Sequence, residues 1–276
     1  MYIPRYSREI QTAYFGKKGI SWHIVHVLSA EGGNYRQHTF FFIFDDTIKQ
    51  DSPAVAATIS FAIEQLSTEG IECVTLRSDC AGCYRNTALM AFLHKNNSRI
   101  NTATVTDYSF SEPQCGKDAC DRMAAQAKRK VAERCDFGQD VATATQLAEA
   151  ILSGNPLSGC SVILCRLQSS SAKATAIDGI SKLSHIAFES AALRVFKHAG
   201  IGVGRIEDVA QLNSVDASLN VLSVGGFSAG DPRFWGGKTP VHAPIRAPSY
   251  NAPMFRCRAE HCSLEFSSYA DSNATS

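Results

Sequence analysis

The run Thr39-Phe40-Phe41-Phe42-Ile43-Phe44-Asp45-Asp46, followed by Ser52-Pro53-Ala54-Val55-Ala56-Ala57, is where the chain changes period, and it decides the fold class. Six residues without polar alternation, stopped by two acids, describe an interior strand covered on both faces. From Ser52 the apolar positions Val55, Ile59, Ala62, Ile63 and Leu66 recur at helical spacing until Gly70. Ser52 as cap and Pro53 in the first turn supply a helix start. Upstream, Ile20, Trp22, Ile24, His26 and Leu28 share one face of a strand and Val25 and Val27 lie on the other, and Glu31-Gly32-Gly33-Asn34 provides the turn between the two strands. Downstream the pattern predicts a strand from Glu72 to Asp79, a helix from Tyr84 to His94, a strand from Ile100 to Phe110 and a basic helix from Lys117 to Arg134. Strands interleaved with helices in this order give an α/β domain, a mixed sheet flanked by helices. In such sheets, reactive groups collect at strand ends, which singles out Asp79.

With 45% hydrophobic and 19% charged residues the 276-residue chain reads as a folded, soluble protein rather than a disordered one. A net charge of +1 gives no global attraction to nucleic acid, so any such binding must come from a local patch. No run is apolar and long enough for a membrane span, and an intracellular location is expected, the nucleus if the chain handles DNA. Of the ten cysteines, Cys73, Cys120, Cys135, Cys160 and Cys165 occupy apolar or helical settings and are expected to pack as buried free thiols.

Beyond residue 135 the texture loosens. Residues 136–210 read as a mixed extension, with a helix from Val141 to Leu152 and short strands at Ser161–Cys165, His185–Phe188 and Leu193–Phe196. Residues 211–254 are rich in glycine and proline and read as irregular, and residues 255–276 form a separate short segment.

An acid at a strand terminus before the small-residue turn Cys80-Ala81-Gly82-Cys83 can hold a hard divalent cation. Candidate partners for Asp79 are Glu112, Asp118 and Asp121, the last two sharing one face of the basic helix. Ordinary surface acids and helix caps would have the same spacing. Phosphoryl transfer by two metals requires several carboxylates converging from different elements.

Three blocks, Gly16-Lys17-Lys18-Gly19-Ile20-Ser21-Trp22-His23, Arg77-Ser78-Asp79-Cys80-Ala81-Gly82-Cys83-Tyr84 and Phe110 to Arg122, resemble in order those of transposon-derived animal proteins with a ribonuclease-H-like (DDE-type transposase/integrase) core. The resemblance spans roughly residues 1–135. It implies a ribonuclease-H-like sheet, Mg2+ or Mn2+ as cofactor if the core is active, Asp79 as the middle catalytic and metal-binding acid, and Asp121 or Asp118 as the third. Two departures stand out. Cys80 replaces the usual asparagine, creating Cys80-x-x-Cys83, a spacing open to zinc or redox chemistry. The strand carrying the family's first acid lies before the segment resembling Tyr2 to Glu9 and is missing here, which implies an unfinished sheet and impaired catalysis. Asp45 or Asp46, after the phenylalanine-rich strand, is the available stand-in.

Lys117, Arg122, Lys128, Arg129, Lys130 and Arg134 concentrate positive charge on one helix, where a phosphodiester backbone could be held; a solvated face with Ala124, Ala125, Ala127 and Val131 inward accounts for the same pattern. Trp22 is expected to pack inward, and His23 reads as a structural histidine. At the C-terminus Cys257 and Cys262, with the flanking Phe255 and Phe266, resemble the first half of a Cys2His2 zinc finger, and Zn2+ is expected only if the finger is completed. The leading expectation is a nucleic-acid-associated relic of a DNA transposase. The alternatives are an active divalent-metal-dependent nuclease and a noncatalytic protein-interaction module, with oligomerisation left open.

Overall fold

The computed structural model describes residues 19–31, 34–46, 48–111, 119–154, 157–170 and 176–236. The phenylalanine-rich run is a strand, β2 (Asn34–Phe44), paired antiparallel with β1 (Trp22–Glu31). Its period of two places Phe40, Phe42 and Phe44 in one apolar cluster and Phe41 and Ile43 in another, so both faces are covered, as the absence of alternation requires. Helix α1 (Ser52–Thr68) follows; its cap is Asp51 rather than Ser52, with the Asp51 carboxylate accepting from the Ala54 amide at 3.4 Å. Next come β3 (Cys73–Ser78), α2 (Thr87–Asn96), β4 (Thr104–Phe110) and α3 (Ala119–Asp136). Helix α2 begins later than its apolar pattern because Asn86 caps it, accepting from the Ala88 amide.

The chain continues through α4 (Ala144–Leu152), opened by a capping box between Thr143 and Gln146, and then β5 (Cys160–Ser170), β6 (His185–Phe188), β7 (Ala192–Phe196), β8 (Arg205–Asp208) and β9 (Asp216–Gly226). Strand β9 falls in the stretch read as irregular. Its side chains alternate between Ala217, Leu219 and Val221, which meet the core, and polar or exposed neighbours, and it runs antiparallel to β5 along its whole length. Phe234 and Trp235 follow and return to the core, with the Trp235 indole donating to the Glu69 carboxylate at 2.9 Å.

The architecture is mixed α/β with two sheets, not one. The first has the order β1-β2-β5-β9 and the second β3-β4-β6-β7-β8. In the first sheet Phe40, Phe42 and Phe44 pack on α1 with Phe234 and Trp235, while Phe41, Ile43 and Trp22 pack on α3 and α4. The second sheet lays Val105, Tyr108 and Phe110 against α1 and α2. Among the described residues no strand pairs with members of both sheets. No described helix is long and apolar enough to cross a membrane.

Gly159 opens β5 in a left-handed conformation, φ +63°, and a Cβ there would lie 2.9 Å from both the Gln37 carbonyl oxygen and the Gly236 amide nitrogen. Both contacts are backbone and cannot swing aside. Gly159→Ala is therefore expected to lower unfolding free energy by about 2 kcal/mol, read as a reduced urea midpoint; an unchanged midpoint would contradict the tight junction.

Candidate functional site

β1 and β3 are the end strands of their sheets, and they form opposite walls of a cleft of about 890 Å3. Residues 23–30 line one wall and residues 72–79 the other, with Ile59, Ala62, Ile63 and Leu66 of α1 beneath. The strands run in opposite senses: His23, near the start of β1, sits within electrostatic reach of Asp79, just past the end of β3, and its ring lies 5.7 Å from that of Tyr84. At this end Asp79, Tyr108, Ser111, Cys120 and Asp121 also line the cleft.

Asp79 is exposed, and its carboxylate is oriented by accepting the Ala81 amide at 2.8 Å, the turn formed by the small residues after it. Asp121 is in the first turn of α3, where a carboxylate also offsets the helix dipole. That turn is brought to β1 by Cys120, whose thiol points to the Ile24 carbonyl at 3.9 Å. Asp79 and Asp121 therefore share one cleft, although a helix and a strand, α2 and β4, separate them in the chain. Asp118, Glu112 and Lys117 lie outside the described residues, as do Cys257 and Cys262. Asp45 and Asp46 do not line the cleft; Arg166 approaches Asp45 at 2.6 Å and Asp46 at 3.9 Å.

His23, which the strand pattern reads as a structural histidine, lines this end of the cleft. It keeps some solvent contact, but the surrounding protein disfavours its charge and pulls it down to about 4, against a smaller opposing pull from Asp79. A neutral imidazole thus stands beside a carboxylate at neutral pH. The signal available in the sequence was parity: His23 falls on the opposite face of β1 from Trp22, with Val25 and Val27. Tyr108 is the other missed residue; burial raises its phenol well above its ordinary value, and its hydroxyl bonds the Ser78 side chain.

The basic helix divides into two sets. Lys130 donates to the Ser153 carbonyl at 3.2 Å and Arg134 pairs with Glu149 at 2.8 Å, so these two fasten α3 to α4. Arg122 and Lys128 are exposed, and Arg129 is exposed with Glu133 at 3.6 Å. Ala127 and Val131 are inward as expected, whereas Ala125 is exposed because the buried stripe runs through Ala127, Val131 and Cys135.

The Cys80 thiol donates to the Ser111 carbonyl and burial raises the Cys83 thiol, which disfavours the thiolate a metal needs. Cys135, Cys160 and Cys165 are buried as expected, but Cys73 is exposed, because β3 ends its sheet. Among the described residues no three His, Cys, Asp or Glu side chains are grouped so as to hold one metal ion. The described cleft thus brings Asp79, Asp121 and the His23 imidazole to one end, with a basic helix nearby.

No curated protein and no solved structure matches the chain significantly. Residues 2–188 match the family model described as a domain of unknown function, DUF8701. That match extends over more than half of the sequence, and the chain belongs to this family.

Proposed function

We propose that the chain is a nucleic-acid-associated protein with a transposase-like, ribonuclease-H-like core in which catalysis is impaired. The observation that carries this reading is the convergence of Asp79 and Asp121 on one cleft, next to a helix whose Arg122 and Lys128 are exposed. The order of β1, β2, α1, β3, α2, β4 and α3 supports it, because it puts one carboxylate after a strand and the other at the start of a helix beyond the next strand. Impairment is inferred from charge: among the described residues the cleft gathers two carboxylates, fewer than two-metal phosphoryl transfer calls for. Phosphate contacts through the helix would be independent of base sequence.

The test uses the full chain with a supercoiled plasmid and a labelled duplex. Expected are no nicking with Mg2+ or Mn2+, and duplex binding that weakens steeply with salt. Replacing Arg122 and Lys128 together by alanine should reduce the slope of log affinity against log salt by about 2. Metal-dependent nicking lost in Asp79→Asn would instead establish an active nuclease. Absence of binding at low salt would favour a protein-interaction module.

A further inference from the structure

The cleft has a second property, independent of phosphate chemistry: both walls are strand edges. The Phe44 amide donates to the Ser21 carbonyl at 3.0 Å, and this fixes the parity of the β1–β2 ladder. Odd residues of β1 turn their backbone groups to β2, while Ile24, Leu28 and Ala30 turn theirs away. The Gln50 amide reaching the Trp22 carbonyl at 2.6 Å from outside the ladder agrees with this parity. On β3, the Glu72 carbonyl accepts from Thr104 and the Ser78 carbonyl from Ser111, so even residues face β4 and Cys73, Thr75 and Arg77 face the other way. Two rows of donors and acceptors thus border one slot, and among the described residues no strand lies between them.

We propose that this slot accepts an extended peptide segment from a partner polypeptide, which hydrogen-bonds to β1 on one side and β3 on the other. Because the walls run in opposite senses, the inserted strand is parallel to one and antiparallel to the other, and it joins the two sheets into one. The occupant needs both of its own edges free. An edge strand of a folded second copy does not qualify, since every described strand already has a partner on at least one side. About eight residues span the walls at roughly 3.3 Å per residue. Alternate apolar side chains meet Ile59, Ile63 and Leu66 of α1. Charge complementarity sets one end: the exposed Asp79 calls for a lysine or arginine there.

The probe is a synthetic peptide of about ten residues alternating threonine and valine with one terminal arginine, added to the full chain in EDTA and followed by fluorescence anisotropy and amide hydrogen exchange. Saturable binding is expected, with new protection at Leu28, Ala30, Cys73, Thr75 and Arg77. N-methylating either alternate set of peptide amides should weaken binding by about tenfold or more, because each set serves a different wall. Exchanging the arginine for glutamate, or using the Asp79→Asn chain, should weaken it by a similar factor. Absence of binding overturns the proposal. So does one N-methylated set binding as well as the parent, which would mean addition to a single edge. Full protection of both edges in the free monomer, independent of concentration, also overturns it, since the chain's own residues would then fill the slot. None of these outcomes depends on DNA binding.

Discussion

Phe42→Ala is expected to lower the unfolding free energy by about 3–5 kcal/mol, the largest effect of any single substitution considered. Phe42 has no exposed surface, its ring lies 5.6 Å from Phe61 at right angles and 6.1 Å from Phe40, and it occupies the interface between the first sheet and α1. Truncation removes the apolar contact and leaves a void in a layer held from both sides, where neighbours have little room to collapse. Urea denaturation followed by circular dichroism reads the loss. A change below about 1 kcal/mol would mean that α1 does not pack on this face as described.

Acidification supplies the second large effect, through His38. The side chain is fully buried, its ring stacked 3.7 Å from that of Phe234, with Nδ1 donating to the Phe234 carbonyl and Nε2 2.8 Å from the Ser161 hydroxyl. Burial lowers its proton affinity from 6.5 to about 4, with the carbonyl bond opposing and His26 assisting. The sign follows from proton counts. Between pH 6.5 and about 4 the unfolded chain binds a proton at His38 that the folded chain refuses, so stability is complete above this window and falls as pH drops through it. The loss is on the order of 3 kcal/mol, and it ends once both states are protonated. His23 adds a smaller loss in the same window, reduced by its solvent contact. Asp107 acts lower: its bond to His185 depresses its carboxyl below the ordinary range, so its contribution is lost only at more acidic pH. Equilibrium urea unfolding at pH 7, 5.5 and 4 checks this, with His38→Phe expected to flatten the dependence. An equal slope in that variant would contradict it.

Local periodicity made much of the fold legible. Val55 to Leu66 could only be helical, and the phenylalanine run had to be a strand covered on both faces. β9 was hidden although Ala217, Leu219 and Val221 alternate with Asp216, Ser218 and Asn220: the alternation is short, and the glycines that close it look like turn residues. The division into two sheets was not legible either, because which strands pair depends on contacts between segments far apart in sequence, as β2 with β5 and β4 with β6. Asp79 was readable from its place after a strand. Its approach to Asp121 was suggested only by the resemblance, since spacing alone could not choose among three acids. His23 looked structural because its neighbour Trp22 and the strand pattern explained it; only the meeting of β1 and β3 across the cleft gives it a polar context.

In the proposed function Asp79 and Asp121 face a phosphodiester together, with a divalent cation between them. The most direct measurement is the affinity of a short DNA duplex for the native chain and for Asp79→Asn/Asp121→Asn, each with and without Mn2+. Without metal the variant should bind more tightly, because two negative charges near the phosphates are gone, and Mn2+ should strengthen binding by about tenfold in the native chain alone. An equal Mn2+ effect in both proteins, with equal metal-free affinity, would show that the two carboxylates do not face the nucleic acid.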